Sequence, residues 1–242
     1  MLKKCITFFL PLLWGCIGVA QNANLQVSMP GIGGNGFIRF NDDSGLMNKA
    51  GQPLEYSDVT GECFWDKQWR PAILILKGGN GVKLKRVRLN FYTSNVHYID
   101  KNGNELTTIK GLVNRIVFYD REDTTKLSAV FKSYAGFNNS QSYIQILNEG
   151  KVQLCKVNDV TLKKKNYDPM VGRDEFKFVS LVKYFINDNG VMTQLKGFRK
   201  SNVQSIIPST PEIESWLSAN NNKLKNEDEV LSFLEFYNSS KK

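Results

Sequence analysis

From residue 56 to residue 196 the chain is a succession of short apolar stretches of period two, cut by Gly, Asn and Asp. Such alternation sends successive side chains to opposite faces of a strand, so it fits a pleated sheet and not a helix. Residues 72–76 form one continuous apolar run, the composition of a strand buried on both faces. Gly78, Gly79, Asn80 and Gly81 follow and supply the positive-φ residues of a hairpin. Val82 and Leu84 then alternate with Lys83 and Lys85, but after Arg86 the apolar parity flips to Val87, Leu89 and Phe91. A strand of period two changes face only by inserting a residue, so a bulge is predicted at Lys85 and Arg86.

Further strand-like stretches lie at 96–100, 106–109, 116–119, 129–134, 143–147, 152–157, 176–186 and 191–195. Turn residues separate them at 101–103, 149–150 and 187–190. No strand–helix units alternate, which argues against a parallel nucleotide-type sheet. The expectation is a mainly β fold, an antiparallel meander forming a sandwich or a curved half-barrel. The period changes near the end. Thr210 is a candidate N-cap, Pro211 a first helical residue, and Glu212 an acid in the first turn. Ile213, Trp216 and Leu217 fall on one helical face. Asn226 and Glu229 form a pair like a capping box ahead of Val230, Leu231, Leu234 and Tyr237. Two short helices are predicted, neither stable alone, so they must pack on the sheet.

The first twenty residues are of another kind. Lys3 and Lys4 precede a charge-free stretch over 5–19, and Gly18, Val19 and Ala20 are small or slim residues before Gln21. A charged head, an apolar middle and a small-residue exit make a secretory signal, with cleavage predicted between Ala20 and Gln21. The apolar stretch, interrupted by Pro11, falls short of the roughly 20 residues of a spanning helix, so the mature chain carries no transmembrane span. Leu13, Gly15 and Cys16 also sit where a lipid-attachment box would place them, although Trp14 fits that box poorly. A lipoprotein acylated at Cys16 is therefore the second reading of this segment. The organisation expected is a signal at 1–20, a Gly-rich arm or strand pair at 21–55, a β domain at 56–200, and a helical tail at 201–242 packed on it. The location expected is periplasmic or secreted, with outer-membrane association under the lipoprotein reading.

Without its leader the chain keeps 30 Lys and Arg against 23 Asp and Glu, a net charge of +7. In an exported protein the anions at hand are envelope polysaccharide and lipid headgroups, which leaves nucleic acid out. The candidate ligand-binding residues are the cations Lys83, Lys85, Arg86 and Arg88, with Trp65 and Trp69 as rings that could stack on sugars. A solvated strand face and core packing are the plain alternatives for the two sets. A second basic group is Lys163, Lys164 and Lys165. Two cysteines survive cleavage, Cys63 and Cys155, 92 residues apart. An oxidising compartment would allow a disulfide stabilising by about 4–5 kcal/mol in the chain-entropy model. Cys155 reads equally well as a small buried hydrophobe.

Sets of residues that carry chemistry are thin. His97 is the single histidine, it lies in a strand-like stretch, and no Gly-x-Ser-x-Gly elbow accompanies it. One His and two distant Cys do not make a zinc set. Residues 31–36 match the dinucleotide fingerprint, but a strand-like stretch over 37–40 follows where a helix should receive the phosphate. No cofactor is expected. Asp120, Glu122 and Asp123 cluster near Arg121 and Thr124 as a polar loop would.

Tyr56, Ser57, Asp58, Val59, Thr60 and Gly61, then Asp66 and Trp69, then a buried strand and the Lys77-Gly78 hairpin, resemble a group of uncharacterised exported proteins of Gram-negative bacteria. The tail resembles theirs too, through 212–217, 226–229 and Phe236, Tyr237 and Asn238. The likeness spans residues 56–242. It implies an envelope location and a β-rich body, and it carries no catalytic or binding residue. The function expected is a non-enzymatic binding or structural module of the envelope, with envelope polysaccharide, a lipid headgroup or a protein as partner. Two alternatives stand beside it. One is a hydrolase of envelope polymer using paired carboxylates, and the other a carrier holding an apolar ligand among Phe131, Phe176 and Phe178.

Overall fold

In a computed structural model the described residues are 56, 59–135, 141–164 and 176–240. Residues 1–55, with Cys16 and the expected cleavage pair Ala20 and Gln21, and Lys165 lie outside them. The described chain is mainly β. Its strands are β1 (Val59–Thr60), β2 (Arg70–Leu76), β3 (Gly81–Asn90), β4 (Asn95–Ile99), β5 (Glu105–Thr107), β6 (Val113–Tyr119), β7 (Leu127–Ala135), β8 (Gln141–Ile146), β9 (Val152–Lys164), β10 (Phe176–Asp188) and β11 (Val191–Leu195). One mixed sheet holds all of them in the order β1-β10-β9-β8-β7-β6-β2-β3-β4-β5, with β11 also on β10. Only β1 runs parallel to its neighbour. The rest is the antiparallel meander expected, and its neighbours in sequence are mostly neighbours in space.

The sheet curls. Six strand spacings separate β10 from β3, or about 29 Å in a flat sheet at about 4.8 Å per strand. Yet the rings of Tyr92, just past β3, and Phe178 of β10 lie 5.4 Å apart. Asn90 Nδ2 at the end of β3 donates to the hydroxyl of Tyr56 at 2.7 Å, and the Tyr56 ring lies 6.3 Å from that of Phe178. Only strong curvature reconciles these distances, so the half-barrel alternative describes the sheet. The segment after β1 ties the curl. Val59 and Thr60 pair with Phe176 and Lys177, and only four residues later Phe64 bridges to Asn90. Gly61 makes that crossing possible at φ +92°, where a Cβ would stand 2.7 Å from the Phe178 carbonyl oxygen.

The predicted bulge is present. Arg70 pairs with Val87 and Ala72 with Leu84, so two steps on β2 face three on β3, the extra residue falling at Lys85 and Arg86. Pro71 stands opposite. A central strand tolerates proline only where the ladder is already broken, and the bulge breaks it there.

The inner face of β2, β3, β4, β6, β7 and β8 is filled by Leu74, Val87, Leu89, Val96, Ile116, Phe118, Phe131 and their neighbours. A second cluster joins Val152, Leu154, Ile186 and Leu195 of the sheet to the helices. Among the described residues three helices are present, α1 (Lys200–Gln204), α2 (Pro211–Ala219) and α3 (Glu227–Ser240), where two were predicted. The missed α1 has five residues and no side-chain cap at Arg199, so nothing local announces it. The other two start as their caps foretell. Thr210 accepts from Ile213 N–H at 3.3 Å, and Asn226 accepts from Glu229 N–H at 2.8 Å. Among the described residues no helix is long and apolar enough to cross a membrane.

Candidate functional site: a cationic cleft over the bulge

In a regular strand Lys85 and Arg86 would point to opposite faces. The bulge breaks that alternation, and both side chains are exposed and line one cleft with Lys83. The cleft has a volume of about 830 Å³. Pro71, Leu84 and Trp69 give it an apolar lining, while Lys67 and Gln68 from the loop before β2 and Arg121 and Thr124 from the loop after β6 add polar groups.

The loops around it are stiffened by their own carboxylates. Asp66 accepts from Gln68 N–H at 2.8 Å and also from Arg70 Nε. Burial pushes the Asp66 carboxyl up, but these donors outweigh it and hold it below its ordinary range. Asp120 accepts from the N–H groups of Glu122 and Asp123, which holds its carboxyl low and shapes the turn that presents Arg121. Arg121 in turn donates to Gln68 Oε1. Glu62 accepts from Cys63 N–H and Phe64 N–H and lies 3.9 Å from Lys67. Among the described residues no carboxylate comes within 4 Å of Lys83, Lys85 or Arg86. Lys83 and Lys85, two residues apart, stand about 7 Å from each other along the strand. The concentration of unpaired positive charge is what an arriving anion relieves.

The six residues singled out in the sequence divide. Trp69, Lys83, Lys85 and Arg86 come together in the cleft. Trp65 does not: its ring packs 4.7 Å from Phe118 and 5.3 Å from Phe131, so the core alternative holds for it. Arg88 is not a free cation. Its guanidinium lies between the rings of Phe64 and Trp69, 4.2 and 4.0 Å from their centroids, and Nη2 donates to Glu105 at 3.0 Å. Glu105 also accepts from His97 Nδ1 at 2.8 Å. Burial would raise the Glu105 carboxyl, but the His97 hydrogen bond and the Arg88 charge prevail and keep it below its ordinary value. An ionised carboxylate only accepts, so His97 carries its proton on Nδ1. Its Nε2 is buried with no hydrogen-bond partner among the described residues. The histidine, 1 % exposed, is a strut of this stack and not a base open to substrate. Arg88 and its partners thus brace the Trp69 ring.

The possible disulfide is corrected. Cys63 and Cys155 are both free. Cys63 packs with Val59, Val160, Phe176 and Phe178, and Cys155 with Ile144, Val157 and Phe185 in a separate cluster. Burial pushes both thiols up to about 12, which makes them small apolar fillers. The three phenylalanines of the carrier reading are divided between two packed clusters, Phe131 in one and Phe176 and Phe178 in the other.

Sequence reasoning missed Lys67, Gln68, Pro71, Leu84, Arg121 and Thr124 of the lining. Pro71 was the available signal: a proline beside a fully apolar strand run marks where the neighbouring strand can bulge. Neither family models nor curated proteins match the sequence, and no solved structure matches the fold.

Proposed function

We propose that the chain is an exported envelope protein whose β body is a non-enzymatic binding module, and that it holds an anionic envelope component in the cleft over the β3 bulge. The observation that carries this reading is the convergence of Lys83, Lys85 and Arg86, without carboxylate partners among the described residues, beside Trp69 in one cleft. The leader segment and the resemblance to exported β-rich proteins support the location. Asp66 and Asp120, carboxylates of the loops that border the cleft, are engaged in hydrogen bonds that hold those loops rather than set opposite each other across it.

Retention of the mature chain on immobilised anionic polymer is the test. Binding is expected to weaken steeply as salt rises, because the exposed cations act through screened charge. It is expected to disappear in the double variant Lys85→Glu, Arg86→Glu. Retention unaffected by salt and by the double variant would rule the cleft out. Mass spectrometry of the cell-envelope fraction tests the location: a mature N-terminus at Gln21, or an acylated Cys16, agrees with export, and an intact Met1 start in the cytosol does not.

A further inference from the structure

Resting on that reading, we infer that the ligand of the cleft is an acidic polysaccharide, one of whose sugar rings lies on Trp69 while its acid groups meet Lys83, Lys85 and Arg86. A cleft serving charge alone would need cations and little else. This one holds a tryptophan fixed in place by a chain of contacts leading inward. Arg88 covers the ring at 4.0 Å, Glu105 holds Arg88 at 3.0 Å, and His97 holds Glu105 at 2.8 Å. A ring so fixed loses little freedom when a second flat, weakly polar face settles on what is left of its surface. Pro71 and Leu84 extend the apolar strip, and Gln68 and Thr124 offer the neutral hydrogen-bonding groups that hydroxyls require.

The surface around the cleft argues against a membrane. The large apolar side chains most exposed on the described chain are Ile109, Leu127, Leu181, Val182 and Val191. None of them lines the cleft, whose apolar residues Trp69, Pro71 and Leu84 are half-buried, so no strongly exposed aliphatic side chain stands beside the cations to enter a bilayer. A single-stranded nucleic acid would also combine rings with charge, but its habitual platform is a row of exposed aromatics, and this cleft has one ring.

The experiment titrates the mature chain with five probes: oligogalacturonate, linear polyphosphate, neutral dextran, phosphatidylglycerol vesicles and a single-stranded oligodeoxynucleotide. Wild type is compared with Trp69→Ala, Trp69→Tyr and Lys85→Glu/Arg86→Glu, each checked for a native thermal transition. Oligogalacturonate is expected to bind tightest. Trp69→Ala is expected to weaken it at least tenfold while changing polyphosphate less than twofold, and Trp69→Tyr to restore most of the loss. A change in the indole Nε1–H resonance of Trp69 on addition of oligogalacturonate, with those of Trp65 and Trp216 unmoved, is expected as well. Equal losses for polyphosphate and oligogalacturonate in Trp69→Ala, or no loss for either, would overturn the sugar-ring inference and leave a charge-only site standing. Tighter binding to vesicles or to the oligonucleotide than to oligogalacturonate would also overturn it, as would equal binding to dextran. If no anionic probe binds, or if binding survives the double charge variant, the proposed function itself fails.

Discussion

Two corners of the same sheet treat charge in opposite ways. Where the helices dock, polar groups are matched across the junction. Glu227 at the start of α3 accepts from Tyr184 at 2.5 Å and from Lys156 at 3.2 Å. Glu214 of α2 accepts from Lys200, Gln204 and Ser209, and those donors bring its carboxyl down to about 2. Asn238 near the end of α3 serves the β8–β9 turn, accepting from Val152 N–H at 3.0 Å and donating to Val152 C=O at 2.8 Å. At the bulged corner of β2 and β3 the carboxylates are turned inward to their loops, and the lysines face water. Matching charges locks elements together; leaving one sign unmatched on a stiff frame creates a place for a ligand. The contrast locates function better than either corner alone, since an isolated exposed cation means little.

The largest effect expected is on the matched corner. Phe233→Ala, at a residue 1 % exposed on the buried side of α3, should cost about 3–5 kcal/mol, read as a fall in thermal midpoint. The fraction that remains folded should still bind anion, so loss of binding without loss of fold in this variant would break the comparison. Next comes Asn238→Ala, which strips Val152 N–H of its acceptor and should cost about 1–3 kcal/mol. Hydrogen exchange at Val152 should quicken in step. Gly150→Ala should also destabilise, because a Cβ there would meet Asn238 at 2.5 Å on a backbone of φ +122°.

A smaller effect sharpens the boundary between the corners. Glu105, held below its ordinary 4.5 by the His97 hydrogen bond and the Arg88 charge against the pull of burial, stabilises the folded state above that value. Its contribution is lost as pH falls through the folded value, since the unfolded chain then binds the proton more readily. Glu105→Gln should therefore lower stability by about 1 kcal/mol at neutral pH, allowing for its partial exposure. The gap from wild type should close in acid. A gap that widened in acid would show the sign to be wrong. The smallest change in stability is expected for Lys85→Glu/Arg86→Glu, within about 0.5 kcal/mol of wild type. If that pair unfolds the protein, the cleft is a structural brace and the contrast collapses.

Much of this frame is readable in the residues. The bulge followed from the parity flip at Arg86, and the helix starts followed from Thr210 and Asn226, because strand alternation and capping are short-range rules. The six strand spacings that bring Phe178 to Tyr92 left no local trace, since curvature is a property of the assembled sheet. Trp65 and Trp69 are four residues apart and alike in sequence, yet one is packing and the other a wall of the cleft. Their difference is set by Phe118, Phe131 and Arg88, all from other strands. Arg121 and Lys67 were out of reach for the same reason.

The strap at the start of the described body has a consequence for how the molecule is made. Thr60 donates its hydroxyl to the carbonyl of Phe176, 116 residues further along. A polypeptide synthesised from its N-terminus must add 116 residues beyond Thr60 before this pairing can exist. Until then the leading residues have no lane to occupy, whereas the hairpins between them can form as they emerge. Closure of the curl is thus a late event with high contact order, and it should set the slow phase of refolding.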